Sequence, residues 1–200
     1  MNIGIVFRIA ALIASIVIGA LVYRRNPRSA TNVLLTLFTV AIFFWGIANE
    51  FSVGVTTSET TLFWIRLVMF FAVPLCFLFF LLEYTFPRSS LPIPQRSRWV
   101  LALVATIAMF TTISPYLFTH LREGTGATAK PVPGPGMIVF LSTAILAILL
   151  GVFSILKKNW QLRGLEQLQA RYLLLGTLVM FALILGLIFF PVVSAGNPAF

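Results

Sequence analysis

Thr61–Phe86 reads TLFWIRLVMFFAVPLCFLFFLLEYTF, 26 residues in which Arg66 and Glu83 are the only charges. At 1.5 Å per residue, about 20 apolar residues of helix cross a hydrocarbon core of roughly 30 Å. This stretch is long enough with residues to spare. In lipid each backbone donor and acceptor must be satisfied inside the segment, which selects a helix. Barrel strands of about ten residues would alternate in polarity, and this run does not.

Five more runs of the same kind follow outward in both directions: Ile3–Tyr23, Thr31–Val53, Trp99–Thr119, Met137–Leu156 and Tyr172–Ser194. The expected fold class is therefore an all-α integral membrane protein, a six-span helical bundle forming one transmembrane domain over residues 1–200. Composition agrees: 60% of residues are hydrophobic, 10% charged, mean hydropathy is +1.02, and there is no Asp. A water-soluble domain carries roughly 45–50% apolar and about 25% charged residues. Soluble enzymes, nucleic-acid-binding domains and disordered tails are excluded on these grounds. The net charge of +9 sits in short clusters between apolar runs, where it acts as a topology signal. Nucleic acid is thus not an expected partner, whereas the lipid bilayer is. The lone cysteine, Cys76, excludes an internal disulfide framework and reads as an apolar filler.

The first run is not a cleaved signal. Its basic cluster, Arg24, Arg25 and Arg28, follows the apolar stretch, whereas a signal peptide carries its charge in front. With the N-terminus outside, the first, third and fifth connections are cytoplasmic. They hold Arg24, Arg25 and Arg28, then Arg88, Arg96 and Arg98, then Lys157, Lys158, Arg163 and Arg171. The second and fourth hold only Arg122 and Lys130, and Arg8 and Arg66 lie within spans. Ten of 14 basic residues on one side is a strong positive-inside bias. Tyr23, Tyr84, Trp99, Trp160 and Tyr172 fall near the inner boundary, Trp64 and Tyr116 near the outer. The expected location is a bacterial inner membrane, multi-pass, with the N-terminus outside. Six spans then leave Phe200 outside too, and Gly196, Asn197 and Pro198 read as a turn into a further helix.

No catalytic, cofactor-binding or metal-binding constellation is visible. There is no H-E-x-x-H pair, no G-x-S-x-G elbow and no Gly-rich phosphate loop. The only histidine, His120, falls in the fourth connection and reads as a solvated loop residue. Ionisable groups within spans are functional candidates because each is costly in hydrocarbon. Glu50 and Arg66 lie at similar depth below the outer boundary of adjacent spans. A Glu50–Arg66 pair with Asn49 beside it would line an outward-facing polar pocket; alternatively both side chains snorkel, or form a structural bridge. Glu83, at the inner edge of the third span, reads as structural and solvated by the interface.

Pro74 interrupts the third span and frees the carbonyl of Phe70, making it a candidate hinge or a fixed kink. Small residues at helical spacing, Ala11–Ser15–Gly19, Thr143–Ala147–Gly151 and Ala182–Gly186, mark close helix–helix faces. The fourth connection, His120–Gly136, is rich in Gly, Pro and Thr, either a presented surface or a stiff linker. In Lys157–Arg171, Leu162, Leu165 and Leu168 recur at helical spacing, so this stretch extends a neighbouring helix or lies along the inner leaflet.

Several motifs occur together and in order: W-G-I-A-N-E (Trp45–Glu50), F-W-I-R (Phe63–Arg66), Pro74, F-L-F-F-L-L-E-Y (Phe77–Tyr84), and Q-L-Q-A-R-Y-L-L-L-G (Gln167–Gly176) before Pro191. In this the chain resembles the N-terminal seven-transmembrane input region of bacterial sensor histidine kinases and some diguanylate cyclases. The resemblance implies a sensory input region that detects an external or membrane cue and passes it to a cytoplasmic kinase or cyclase output. It also implies a homodimer formed through that output and an unknown small ligand, with no cofactor. The departure is at the end, where the seventh helix and output domain of the family are not found. The competing expectation is a small transporter or channel subunit, since spans three and six both carry a proline (Pro74, Pro191) as an inverted repeat would.

Overall fold

The computed structural model describes residues 3–87 and 90–195, with side chains described for 4–87 and 90–183. Among the described residues six α-helices form: α1 (Ile3–Arg25), α2 (Ala30–Gly54), α3 (Ser58–Thr85), α4 (Gln95–Ile113), α5 (Gly136–Gln161) and α6 (Gly164–Ala195). Between α4 and α5 lies an antiparallel hairpin, β1 (Phe118–Glu123) and β2 (Lys130–Pro133), with a 3-10 turn at Gly126–Thr128. Among the described residues five helices, α1 to α5, are long and apolar enough to cross a membrane, and α6 is helical over 32 residues. Arg88 and the Gly196–Pro198 turn lie outside the described residues.

The all-α membrane bundle is as the sequence implies, but one span is shorter. The expected Trp99–Thr119 helix ends at Ile113. Pro115 disfavours helical backbone at the residue before it, and Ser114 is accordingly extended at φ −71°, ψ 159°. Chain that hydropathy assigned to lipid, Phe118 and Thr119, instead opens the hairpin. Pro27 breaks the chain after α1 in the same way, and Asn32 caps that helix, its Nδ2 donating to the carbonyls of Val22 (3.1 Å) and Asn26 (3.2 Å).

The chain divides into two units, residues 1–151 and 152–200. In the first, α1 packs on α2, α2 on α3 and α3 on α4. Its core is Val73 and Phe77 of α3, Ala108 of α4, Phe140 of α5, and Leu117 and Phe118 at the foot of the hairpin. Outward-facing side chains such as Phe7, Trp99, Phe110 and Ile138 are about 70% exposed, as a lipid solvent allows. Where α1 meets α2, glycines allow close approach. A Cβ on Gly19 would sit 2.1 Å from Thr39 Oγ1, and one on Gly46 2.3 Å from Leu12 Cδ2. Thr36 Oγ1 donates across the seam to the carbonyl of Gly19 (3.0 Å).

Glu83 differs from expectation. It is buried at 1% exposure, beside Leu82 and Thr85 at 7% and 0%. Position along a span fixes depth but not which side of the helix faces the bundle, and Glu83 faces inward.

In the second unit the Lys157–Arg171 stretch is shared between two helices, α5 running to Gln161 and α6 starting at Gly164. Gly164, at the start of α6, takes φ +66°, a left-handed conformation that glycine adopts without steric cost. Asn159 holds the turn. Its carbonyl accepts from Gln167 Nε2 (3.0 Å) and its Oδ1 from Arg171 Nε (3.4 Å). The Q-L-Q-A-R motif thus places Gln167 and Arg171, four residues apart on one helical face, against the end of α5.

Candidate functional site

The α2–α3 connection, residues 55–57, and the hairpin meet at one end of the first unit. Thr61 explains how. Its Oγ1 donates to the carbonyl of Thr57 (2.7 Å), which fixes the first turn of α3. The same oxygen accepts from the backbone N–H of Gly126 at the hairpin tip (3.2 Å). Gly126 has φ +54°, and a Cβ there would lie 2.5 Å from the carbonyl oxygen of Val53 and 2.8 Å from that of Val55. No other residue fits this approach without displacement.

Deeper in, Arg66 Nη2 donates to the backbone carbonyl of Phe118 at the start of β1. Arg66 lies eight residues into α3, about 12 Å along its axis. Its Nε is buried and has no hydrogen-bond partner among the described residues. The base of the hairpin closes through Gly134 N–H to Leu117 O (2.8 Å) and Gly136 N–H to Tyr116 O (2.9 Å). Across the strands Glu123 faces Lys130, and their exposed side chains pair at 2.8 Å. The ladder is irregular on both sides of Leu121. The stretch His120–Gly136, expected as either a presented surface or a stiff linker, instead falls largely within a hairpin tied to α3 at two points. His120 is exposed, its Nδ1 sharing a hydrogen bond with Thr119 Oγ1 (3.0 Å).

The anticipated Glu50–Arg66 pair does not form. Glu50 Oε1 pairs with Arg8 Nε of α1, with side chains 29% and 52% exposed. Helices α1 and α2 run antiparallel from the Asn26–Ser29 turn, so Arg8 and Glu50 reach similar heights, about 25 and 30 Å from it. Equal depth in neighbouring helices was the available signal, and it applied to Arg8 as well as to Arg66. Asn49 is half-buried, and its carbonyl accepts from Ser52 Oγ (2.7 Å). Phe51 stacks on Trp64 with ring centroids 4.5 Å apart, which clasps α2 to α3 near the same end.

Two cavities elsewhere are apolar. One of about 570 Å³ lies between α4 and α5 against Phe110, Tyr116 and Val139. The other, of about 260 Å³, lies among α3, α4 and α5 against Phe77, Leu101 and Leu146. Asn49, Glu50 and Arg66 line neither.

Among the described residues, five long apolar helices with lipid-compatible outer faces define a multi-pass helical membrane protein. A family model for the N-terminal 7TM region of histidine kinase matches residues 7–198. The chain belongs to this family, and its role is that of a membrane sensory input region, a domain without catalytic function of its own. No curated protein and no solved structure was found to match it.

Proposed function

We propose that this region detects an external or membrane-borne cue and passes a helix displacement to a cytoplasmic histidine kinase-type output, with dimerisation through that output. The N-terminus and the hairpin face the exterior in this reading. Its support is the basic-residue asymmetry: the hairpin carries only Arg122 and Lys130, whereas Arg24, Arg25, Arg28, Arg96 and Arg98 lie at the α1–α2 and α3–α4 connections.

The observation that carries the reading is the tie between hairpin and α3. An exposed segment is bonded through Arg66 and Thr61 to α3, the helix that Pro74 interrupts. A cue acts only through a difference in affinity for two arrangements, and a tenfold preference biases them by about 1.4 kcal/mol. Pro74 withholds an N–H from the helix, which weakens α3 at that point and makes it the element on which a cue acts in this reading. The Arg8–Glu50 pair holds the neighbouring end of α2 against α1.

The test is a phosphorylation-responsive reporter driven by the full-length protein in cells. Arg66→Gln and Pro74→Ala are each expected to shift basal output several-fold at equal expression. Wild-type output from both variants removes this reading.

A further inference from the structure

Arg66 is a guanidinium held within a span by a single carbonyl. No carboxylate of the described residues lies within ion-pair range of it, since Glu50 is taken by Arg8 and Glu123 by Lys130. The planar guanidinium presents Nε–H and Nη2–H along one edge, spaced to match the two oxygens of a carboxylate or phosphate. Here Nη2 has the Phe118 carbonyl while Nε, buried, has no acceptor among the described residues. A neutral carbonyl therefore occupies half of a site suited to an oxyanion and leaves the charge uncompensated.

The surroundings favour an anionic group on an apolar body. Leu62 and Met69 flank Arg66 along α3, and both pack against the core that contains Leu117 and Phe118. The strand that an oxyanion would displace is already irregular, its register shifting between Phe118 and Leu121. Phe118 also faces Pro133, which has no N–H to donate, so freeing the Phe118 carbonyl breaks no bond to that partner.

We infer that Arg66 is an oxyanion-binding residue covered by the hairpin, and that an amphiphile bearing a carboxylate or phosphate takes Nε and Nη2 together, displacing the Phe118 carbonyl and releasing the start of β1. The inference deepens the sensory reading and rests on it for its biological meaning, although the binding event stands alone. The anion can arrive as a free apolar acid or as a lipid headgroup; the chemistry is shared.

Hydrogen exchange of residues 118–133 in the full chain, reconstituted in phosphatidylcholine nanodiscs, tests the site. The arms are octanoate, methyl octanoate as its uncharged counterpart, and nanodiscs containing phosphatidylglycerol. Octanoate, phosphatidylglycerol or both are expected to speed hairpin exchange about fivefold or more, and whichever acts identifies the source; methyl octanoate is expected to do nothing. Arg66→Lys keeps a cation without the paired edge and is expected to fold normally with most of the response lost; Arg66→Gln abolishes it. A wild-type hairpin indifferent to both anions, an equal response to the ester, or a full response in Arg66→Lys overturns the inference. A hairpin response without any change in reporter output leaves the site standing and removes the signalling reading. Altered output in the Arg66 variants without a hairpin response to either anion removes the site and leaves signalling intact.

Discussion

Arg8 and Gly126 show how much single residues decide at the hairpin end of this bundle. The Arg8–Glu50 pair lies within spans α1 and α2, where its open side meets lipid and water screens it little. A double-mutant cycle with Arg8→Ala and Glu50→Ala is expected to give a favourable coupling of at least about 0.5–1 kcal/mol, the worth of a water-screened pair. The same cycle between Glu50→Ala and Arg66→Ala is expected to give none, and a coupling there would restore the pairing that linear depth implied. At Gly126 the left-handed φ and the carbonyls of Val53 and Val55 leave no space for a methyl group. Gly126→Ala should destabilise the hairpin by about 1–3 kcal/mol, read as lost protection of residues 118–133 with that of α1 unchanged.

Among elements, α3 and the α5–α6 turn are the informative ones. Helix α3 continues for 28 residues across Pro74, with Val73 and Phe77 on either side in the core, so packing sustains a helix that its own backbone interrupts. Pro74→Ala supplies the missing donor and should stabilise the middle of α3 by about 1 kcal/mol, seen as slower exchange around residues 71–78. At the other turn, Asn159→Ala removes the Oδ1 acceptor of Arg171. The loss is expected to be about 1 kcal/mol, measured as faster exchange across residues 160–168. The Gln167 bond survives, because it goes to the Asn159 backbone carbonyl.

For the whole molecule the decisive quantity is orientation. In a Cys76→Ala background, Ala127→Cys at the exposed hairpin tip should react with a membrane-impermeant maleimide on intact cells. Asn26→Cys, exposed in the α1–α2 turn, should react only after permeabilisation. The opposite pattern would place the hairpin in the cytoplasm and overturn the sensory arrangement proposed above. The same measurement bears on Arg66, since an oxyanion from outside reaches it only if the hairpin lies on that side.

Apolar run length is a local property, which is why the sequence alone was enough to locate the helices and, with the Q-L-Q-A-R and F-W-I-R motifs, the family. Pro115 explains the span that ends early: hydropathy runs through it, but helical backbone geometry does not. Partner choice is different in kind. Which cation Glu50 meets, that Glu83 turns inward, and that Phe118 lies under Arg66 all depend on helix rotation and on the hairpin's return path. In a chain this apolar, many rotations bury similar area against lipid or protein, so hydrophobicity scarcely distinguishes them. Close contacts at Gly19, Gly46 and Gly126, and a few hydrogen bonds with no water to compete, make that choice, and they exist only once the chain has folded.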